Sequence, residues 1–118
     1  MKIKRGDIWW VSLEPVIGDE AAKTRPCLII QNDLGNLHSQ KTIVAPFLKP
    51  KNYPFVVNIT PSESNKLDRE RGLDLSHIRS ISVKRIRNKL GVIEDKYWFA
   101  IKKAILLQLG FDDIFEDK

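Results

Sequence analysis

Cysteine occurs once in the 118 residues, at Cys27, and histidine twice, at His38 and His77. A single thiol excludes an internal disulfide and any zinc site built on paired cysteines. Such sparing use of cysteine is expected of a chain in a reducing cytoplasm. The two histidines lie far apart in sequence, so no metal centre and no cofactor is expected. No Walker loop, GxGxxG, HExxH or serine nucleophile elbow occurs, which excludes the common nucleotide, zinc-protease and serine-hydrolase sites. Long apolar runs are missing too, and none approaches the ~20 residues of a membrane helix. The opening MKIKRGDIWW is basic without the apolar core of a signal peptide, so neither export nor a membrane anchor is expected.

Acidic residues are absent from Leu75 to Ile93, where Arg79, Lys84, Arg85, Arg87 and Lys89 sum to +5, equal to the net charge of the whole chain. Such a run is either a solvated basic face or an edge that binds phosphates. A pI near 9.4 favours an anionic partner. A content of 42% apolar and 30% charged residues is that of a globular protein. Residues 1–118 suit one domain, since this length does not support two cores. No repeat, low-complexity segment or linker interrupts it.

Short strands are expected at Asp7–Leu13, Pro26–Gln31, Thr42–Leu48 and Phe55–Ile59 from their β-branched and aromatic content. Further short strands are expected at Gly72–Leu75, Arg79–Ser82 and Lys89–Ile93. Pro46 places the end of the third strand at an edge or bulge. Asn32-Asp33 and Gly35-Asn36 are turn formers. After Glu94 the period becomes helical, with Trp98, Ile101, Ala104, Ile105 and Leu109 on one stripe. Glu94 or Asp95 suits the start of this helix and Gly110 its end. Its length would be about 22 Å. Phe99 and Leu106 on its other side exceed what one small core needs, and hint at a dimer contact. Five to seven strands in succession, followed by a helix, give a mainly β fold: a small, partly open antiparallel barrel with a C-terminal helix.

Arg25 closes a long charged loop (residues 14–25) and immediately precedes Pro26 and a buried strand, which holds it at the rim of the sheet. Glu20, in the same loop, is its candidate partner; the residues alone read as readily as a surface ion pair. Cys27 lies within an apolar strand, where a thiol behaves as a small hydrophobe. Tyr53, between Asn52 and Pro54, is the best candidate to stack on a base.

The segments RGDIWWVSL, the G-x-E…K-T-R-P loop, TIVAP and IRSI occur in this order with fitting gaps. From about Lys4 to Leu109 the chain resembles the MazF/PemK/Kid family, the toxins of type II toxin–antitoxin systems. The resemblance implies a homodimeric SH3-like barrel with a C-terminal helix. It implies a metal-independent, sequence-selective endoribonuclease, or mRNA interferase, acting on single-stranded RNA. It also implies neutralisation by a separate, acidic antitoxin, with operator DNA bound only together with that antitoxin.

In such a site the RNA 2′-OH attacks the neighbouring phosphorus, which leaves a cyclic phosphate and a 5′-OH. The chemistry needs a base, an acid and stabilisation of phosphate charge. Arg25 matches the family's arginine and would stabilise that charge. Glu20 matches the loop acid, and would orient Arg25 or accept a proton. Where many members carry a Thr or Ser after TIVAP, this chain has Leu48; Lys49, Lys51 or Thr42 are candidates to compensate. Where many carry an acid–Gln pair before IRSI, this chain has Ser76-His77, and an imidazole there can act as acid or base or simply contact RNA. Lys49, Lys51, Tyr53, Ser76 and Arg79 would line the RNA path. A second reading is a toxin-like module that lost activity with the hydroxyl at position 48, and binds antitoxin and nucleic acid in operator autorepression.

Overall fold

The computed structural model describes residues 2–15, 18 and 23–111. Among them are seven strands: β1 (Asp7–Ser12), β2 (Thr24–Ile29), β3 (Lys41–Leu48), β4 (Val56–Ile59), β5 (Arg71–Asp74), β6 (Arg79–Ser82) and β7 (Ile86–Val92). Two α-helices accompany them, α1 (Asp33–His38) between β2 and β3, and α2 (Trp98–Gln108) after β7. The strands pair in the order β4-β5-β3-β2-β1-β7, with β6 also on β3, and every pair is antiparallel. Its outer strands, β4 and β7, are not paired with each other among the described residues, so the sheet is open and no closed barrel forms.

Alternation along the strands sends successive side chains to opposite faces, and each face builds its own core. On one face Ile8, Leu28, Ala45, Phe47, Ile59 and Leu73 pack with Ile101 and Ala104 of α2. On the other, Val11, Cys27, Ile29, Val44, Ile81 and Ile86 pack together with Leu13 and Ile3. β2 is buried on both faces from Pro26 to Ile29, which is why it reads as an unbroken apolar run.

β3 is shared along its length by two strands, β6 beside Lys41–Val44 and β5 beside Phe47–Leu48. Pro46 lies at the change of partner. It has no N–H to offer a ladder, and a proline inside a sheet belongs at such an edge or break. Between β5 and β6 the chain makes a single 3₁₀ turn, Leu75–His77, instead of continuing as strand.

Three local expectations are corrected. Asn32-Asp33 and Gly35-Asn36 do not make simple turns but the cap and body of α1, because Asn32 Oδ1 accepts from the Gly35 N–H at 2.7 Å. Neither Glu94 nor Asp95 caps α2 directly, since a 3₁₀ turn over Asp95–Tyr97 precedes it. The Glu94 carboxylate instead accepts from Asn65 Nδ2 at 3.1 and 3.4 Å. α2 is 11 residues long, about 16 Å at 1.5 Å per residue. Leu109 falls beyond it and is exposed. Gly110 does end the helix as expected: its φ is +80°, and the Phe111 N–H reaches the Leu106 carbonyl at 2.7 Å.

Candidate active site

The second face of the sheet changes character toward one end. The paired rows Trp9–Cys27–Pro46 and Val11–Arg25 run across it, and continuing the β2–β3 register sets Leu48 opposite Arg25. On the far side of β3, Val44 pairs with Arg79. Alternation therefore puts Arg25, Cys27, Pro46, Leu48 and Arg79 on one face. Electrostatics agrees with this placement. Burial pushes the Cys27 thiol from an ordinary 9.0 up to about 12, and the guanidinium groups of Arg79 and then Arg25 oppose that rise. Two arginines from strands that are not neighbours thus act on one point. Arg25 and Arg79 are each half-buried, which leaves part of each guanidinium open to solvent.

The 3₁₀ turn joins β5 to β6, with Leu75 packed into the core under α2, and His77 precedes Arg79 by two residues. His77 ends the turn and is half-buried, and Ser76 is exposed. Lys49, Lys51 and Tyr53 follow β3 in the next loop and are exposed. Asn58 clamps that loop, with the Lys51 N–H donating to Oδ1 at 3.2 Å and Nδ2 donating to the Lys51 carbonyl at 3.0 Å. Tyr53 stacks on Phe55 with centroids 5.3 Å apart and planes 5° apart, which holds the ring in one orientation. Gly72 lets the loop lie this close: a Cβ there would come 2.7 Å from the Lys49 carbonyl oxygen.

Thr42 is corrected. It is fully buried, and its hydroxyl donates to Asn36 Oδ1 at 2.7 Å. Its position is even-numbered from Val44 and Pro46, so alternation sends it into the second core beneath α1, away from solvent. Glu20 lies outside the described residues, as does Asp19.

The basic run divides. Arg85 donates to the carbonyls of Ser12 and Glu14, and so holds the start of the loop that leads to Arg25. Arg87 donates to the Lys84 carbonyl at 2.8 Å. Lys89 pairs at 3.4 Å with Asp7, which is buried. The stretch is therefore divided among several neighbours; Arg79 joins the face of Arg25, and Lys89, opposite Trp9 in the row of Cys27, is engaged with Asp7. Among the described residues no group of three or more His, Cys, Asp or Glu side chains is placed to hold a metal ion.

Asp74 was missed by sequence reasoning. It is 2% exposed, and its Oδ1 accepts from the Ser76 N–H at 3.0 Å and the Ser76 hydroxyl at 2.5 Å. The Asp-x-Ser spacing permits a cap but does not tell a buried one from a solvated one.

Comparison with known proteins agrees with this architecture. The profile of PemK-like, MazF-like toxins of type II toxin–antitoxin systems matches residues 4–109. The chain belongs to this family. It is 35% identical over 119 residues to the endoribonuclease MazF of Staphylococcus saprophyticus, covering 98% of each chain. A crystal structure of MazF from Deinococcus radiodurans superposes with a TM-score of 0.79 at 20% identity, over 93% of this chain and 98% of that one. A mycobacterial endoribonuclease in complex with its cognate antitoxin gives a TM-score of 0.75 at 19% identity, over 92% and 95%. The two structural likenesses establish the PemK/MazF fold for the open seven-stranded sheet and its terminal helix.

Proposed function

We infer that the chain is a MazF-like toxin and an endoribonuclease, and that it cleaves single-stranded RNA without a metal. The observation that supports this most directly is the register that sets Arg25 and Arg79 on one sheet face, either side of the Cys27 row, in a chain of this family. Guanidinium groups on that face are suited to a phosphate.

In the reaction proposed, the 2′-oxygen attacks the adjacent phosphorus, its proton passes to a base, and the bond to the 5′-oxygen breaks as that oxygen takes a proton from an acid. The products are a cyclic phosphate and a 5′-OH. Arg25 stabilises charge on the phosphoryl oxygens. His77 exchanges protons with the reacting oxygens, with Glu20 from the preceding loop as the supporting carboxylate. Lys49, Lys51, Ser76 and Arg79 follow the backbone, and Tyr53 offers a face to a base.

A homodimer is part of the proposal, and an acidic antitoxin is the partner that would cover the basic site. Operator DNA is bound only with that antitoxin. Phe99, 73% exposed on α2, and Leu34 and Leu37, each more than 70% exposed on α1, are apolar surface suited to such contacts. None of the described helices is long and apolar enough to cross a membrane, and the proposed compartment is the cytoplasm.

The test is to incubate the purified protein with a long RNA in EDTA and map the new 5′ ends. Discrete ends bearing 5′-OH, recurring at one short sequence, are expected. Intact RNA, or cleavage that needs an added divalent ion, would overturn the reading.

A further inference from the structure

The mechanism above needs the imidazole of His77 to stay in one place, yet His77 sits in a single turn of 3₁₀ helix, an element too short to hold itself. Two anchors fix this turn. Leu75, 1% exposed, is plugged into the core under α2, and its N–H reaches the Phe55 carbonyl at 2.9 Å. The other anchor is Asp74, the last residue of β5, paired with Val56.

One oxygen of the buried Asp74 side chain takes both donors of Ser76, the backbone N–H and the hydroxyl. A contact of 2.5 Å is at the short end for an O–H donor. Ser76 is thereby gripped by backbone and side chain at once, and the next residue is His77. Ser76 is exposed and so fills no core space, whereas Asp74 is buried and spends its Oδ1 on Ser76. His77 itself makes no hydrogen bond to another described side chain that would orient its ring.

The geometry points to Asp74 as a positioning residue for cleavage: through its double hydrogen bond to Ser76 it sets the turn that carries His77, two residues before Arg79 of β6. This inference rests on the RNA-cleaving reading and deepens it, because it says how a Ser-His pair is made rigid enough to serve. Asp74 touches neither RNA nor the reacting atoms. It acts through Ser76.

The experiment compares the full-length protein with Asp74→Ala, Asp74→Asn, Ser76→Ala and the Asp74→Ala/Ser76→Ala double variant. Single-turnover cleavage at saturating RNA is measured alongside RNA affinity. Only two histidines occur in the chain, so the ring proton signals of His77 and His38 can be followed separately by NMR. Asp74→Ala should slow single-turnover cleavage by about 10²-fold, the scale of a small misplacement at a reacting centre, with RNA affinity little changed. Asp74→Asn keeps an acceptor oxygen of the same shape and should recover most of the rate. Ser76→Ala should cost less than Asp74→Ala, and the double variant no more than Asp74→Ala alone, because both delete one link. The His77 ring signals should move in Asp74→Ala and stay in Asp74→Asn, with His38 unaffected in both.

A wild-type rate in folded Asp74→Ala overturns the inference. So does a slowed variant whose His77 signals have not moved. Should Asp74→Ala fail to fold, Ser76→Ala carries the test, and unmoved His77 signals with an unchanged rate in it overturn the inference. If the wild-type protein cleaves no RNA, the catalytic reading falls by itself, and the His77 signals alone then decide whether Asp74 sets the turn.

Discussion

The two faces of the sheet use the same strands for opposite ends. On the face under α2, Leu28, Ala45, Phe47 and Leu73 pack in one apolar cluster with Ile101 and Ala104 of the helix and are fully buried. On the other face the same strands bury Cys27, Ile29 and Val44, then give way within one register step to Arg25 and Leu48 on one side and Arg79 on the other. A single-residue slip of β2 would exchange Arg25 for Pro26 and drive a guanidinium into the helix-covered core. The sealed face therefore fixes the register that the open face depends on. Both faces bury a core, but only the second also carries the candidate chemistry, so core substitutions under α2 and substitutions at Arg25 should separate unfolding from loss of rate.

The largest expected effect breaks the sealed face. Phe47 is fully buried and the largest side chain there. Phe47→Ala should cost about 3–5 kcal/mol of unfolding free energy, as removal of a buried aromatic ring does. Denaturant melts check this. Any loss of cleavage should track the unfolded fraction, and a variant that stays folded yet inactive would show that the faces are not separable.

On the open face, Arg25→Ala should leave the melting curve close to wild type and reduce cleavage by about 10²–10³-fold, the usual cost of losing one donor to a developing charge. Arg25→Lys should recover only part, since an ammonium lacks the planar fork. Undiminished cleavage by Arg25→Ala would remove Arg25 from the mechanism.

Next in size is the pair of positions at which the chain departs from the usual family residues. His77→Gln should slow single-turnover cleavage by roughly 10²-fold if the imidazole transfers protons, and should flatten the pH dependence of the rate. Leu48→Thr restores a hydroxyl opposite Arg25. It should raise the rate substantially in a site that had lost activity with that group, and little in a site rebuilt around His77. A profile measured on the three proteins separates these outcomes. A flat profile for wild type and an unimpaired His77→Gln variant would leave the chemistry to Arg25 and Glu20.

Much of this contrast is legible in the sequence, and the failures have physical causes. The strand bounds of β6 are as expected, and those of β1 and β3 differ by one residue, because β-branched runs bounded by turn formers specify strands locally. Arg25 stands out because Arg-Pro at the mouth of a buried strand can only be a rim position. α1 is not legible because its stability comes from elsewhere: Asn36 is shared by Thr42 and Gln31, contacts that no local pattern reveals. The same network explains the misplaced Thr42, whose hydroxyl is spent on the helix above it. Asp74 is hidden in LDLSH, where nothing local tells a buried cap from a solvated acid. The basic run looks continuous, yet its members turn to different neighbours once β7 pairs with β1.

The smallest expected effect tests the buried part of the second face, at Cys27. Its side chain is fully buried, its Sγ lies 3.7 Å from the Arg25 carbonyl oxygen, and its thiol is pushed up to about 12. The thiolate is the reactive form, so the native protein should resist alkylation at pH 8 and react readily once denatured. The sign of the stability effect follows from linkage. The folded state holds the proton more tightly than the unfolded state, whose value is near 9.0. The stability this contributes is fully present below about pH 9 and is lost as pH rises toward 12. Lysines and tyrosines titrate in the same range, so the difference between wild type and Cys27→Ala is the quantity to measure. Cys27→Ala should start lower, because it leaves a small cavity, and should lose less of its denaturant midpoint between pH 9 and 11. Equal losses in the two proteins, or rapid alkylation of the native thiol, would mean that the apolar part of this face is open to water at Cys27. The proposed phosphate surface would then run through the Cys27 row that lies between those of Arg25 and Arg79.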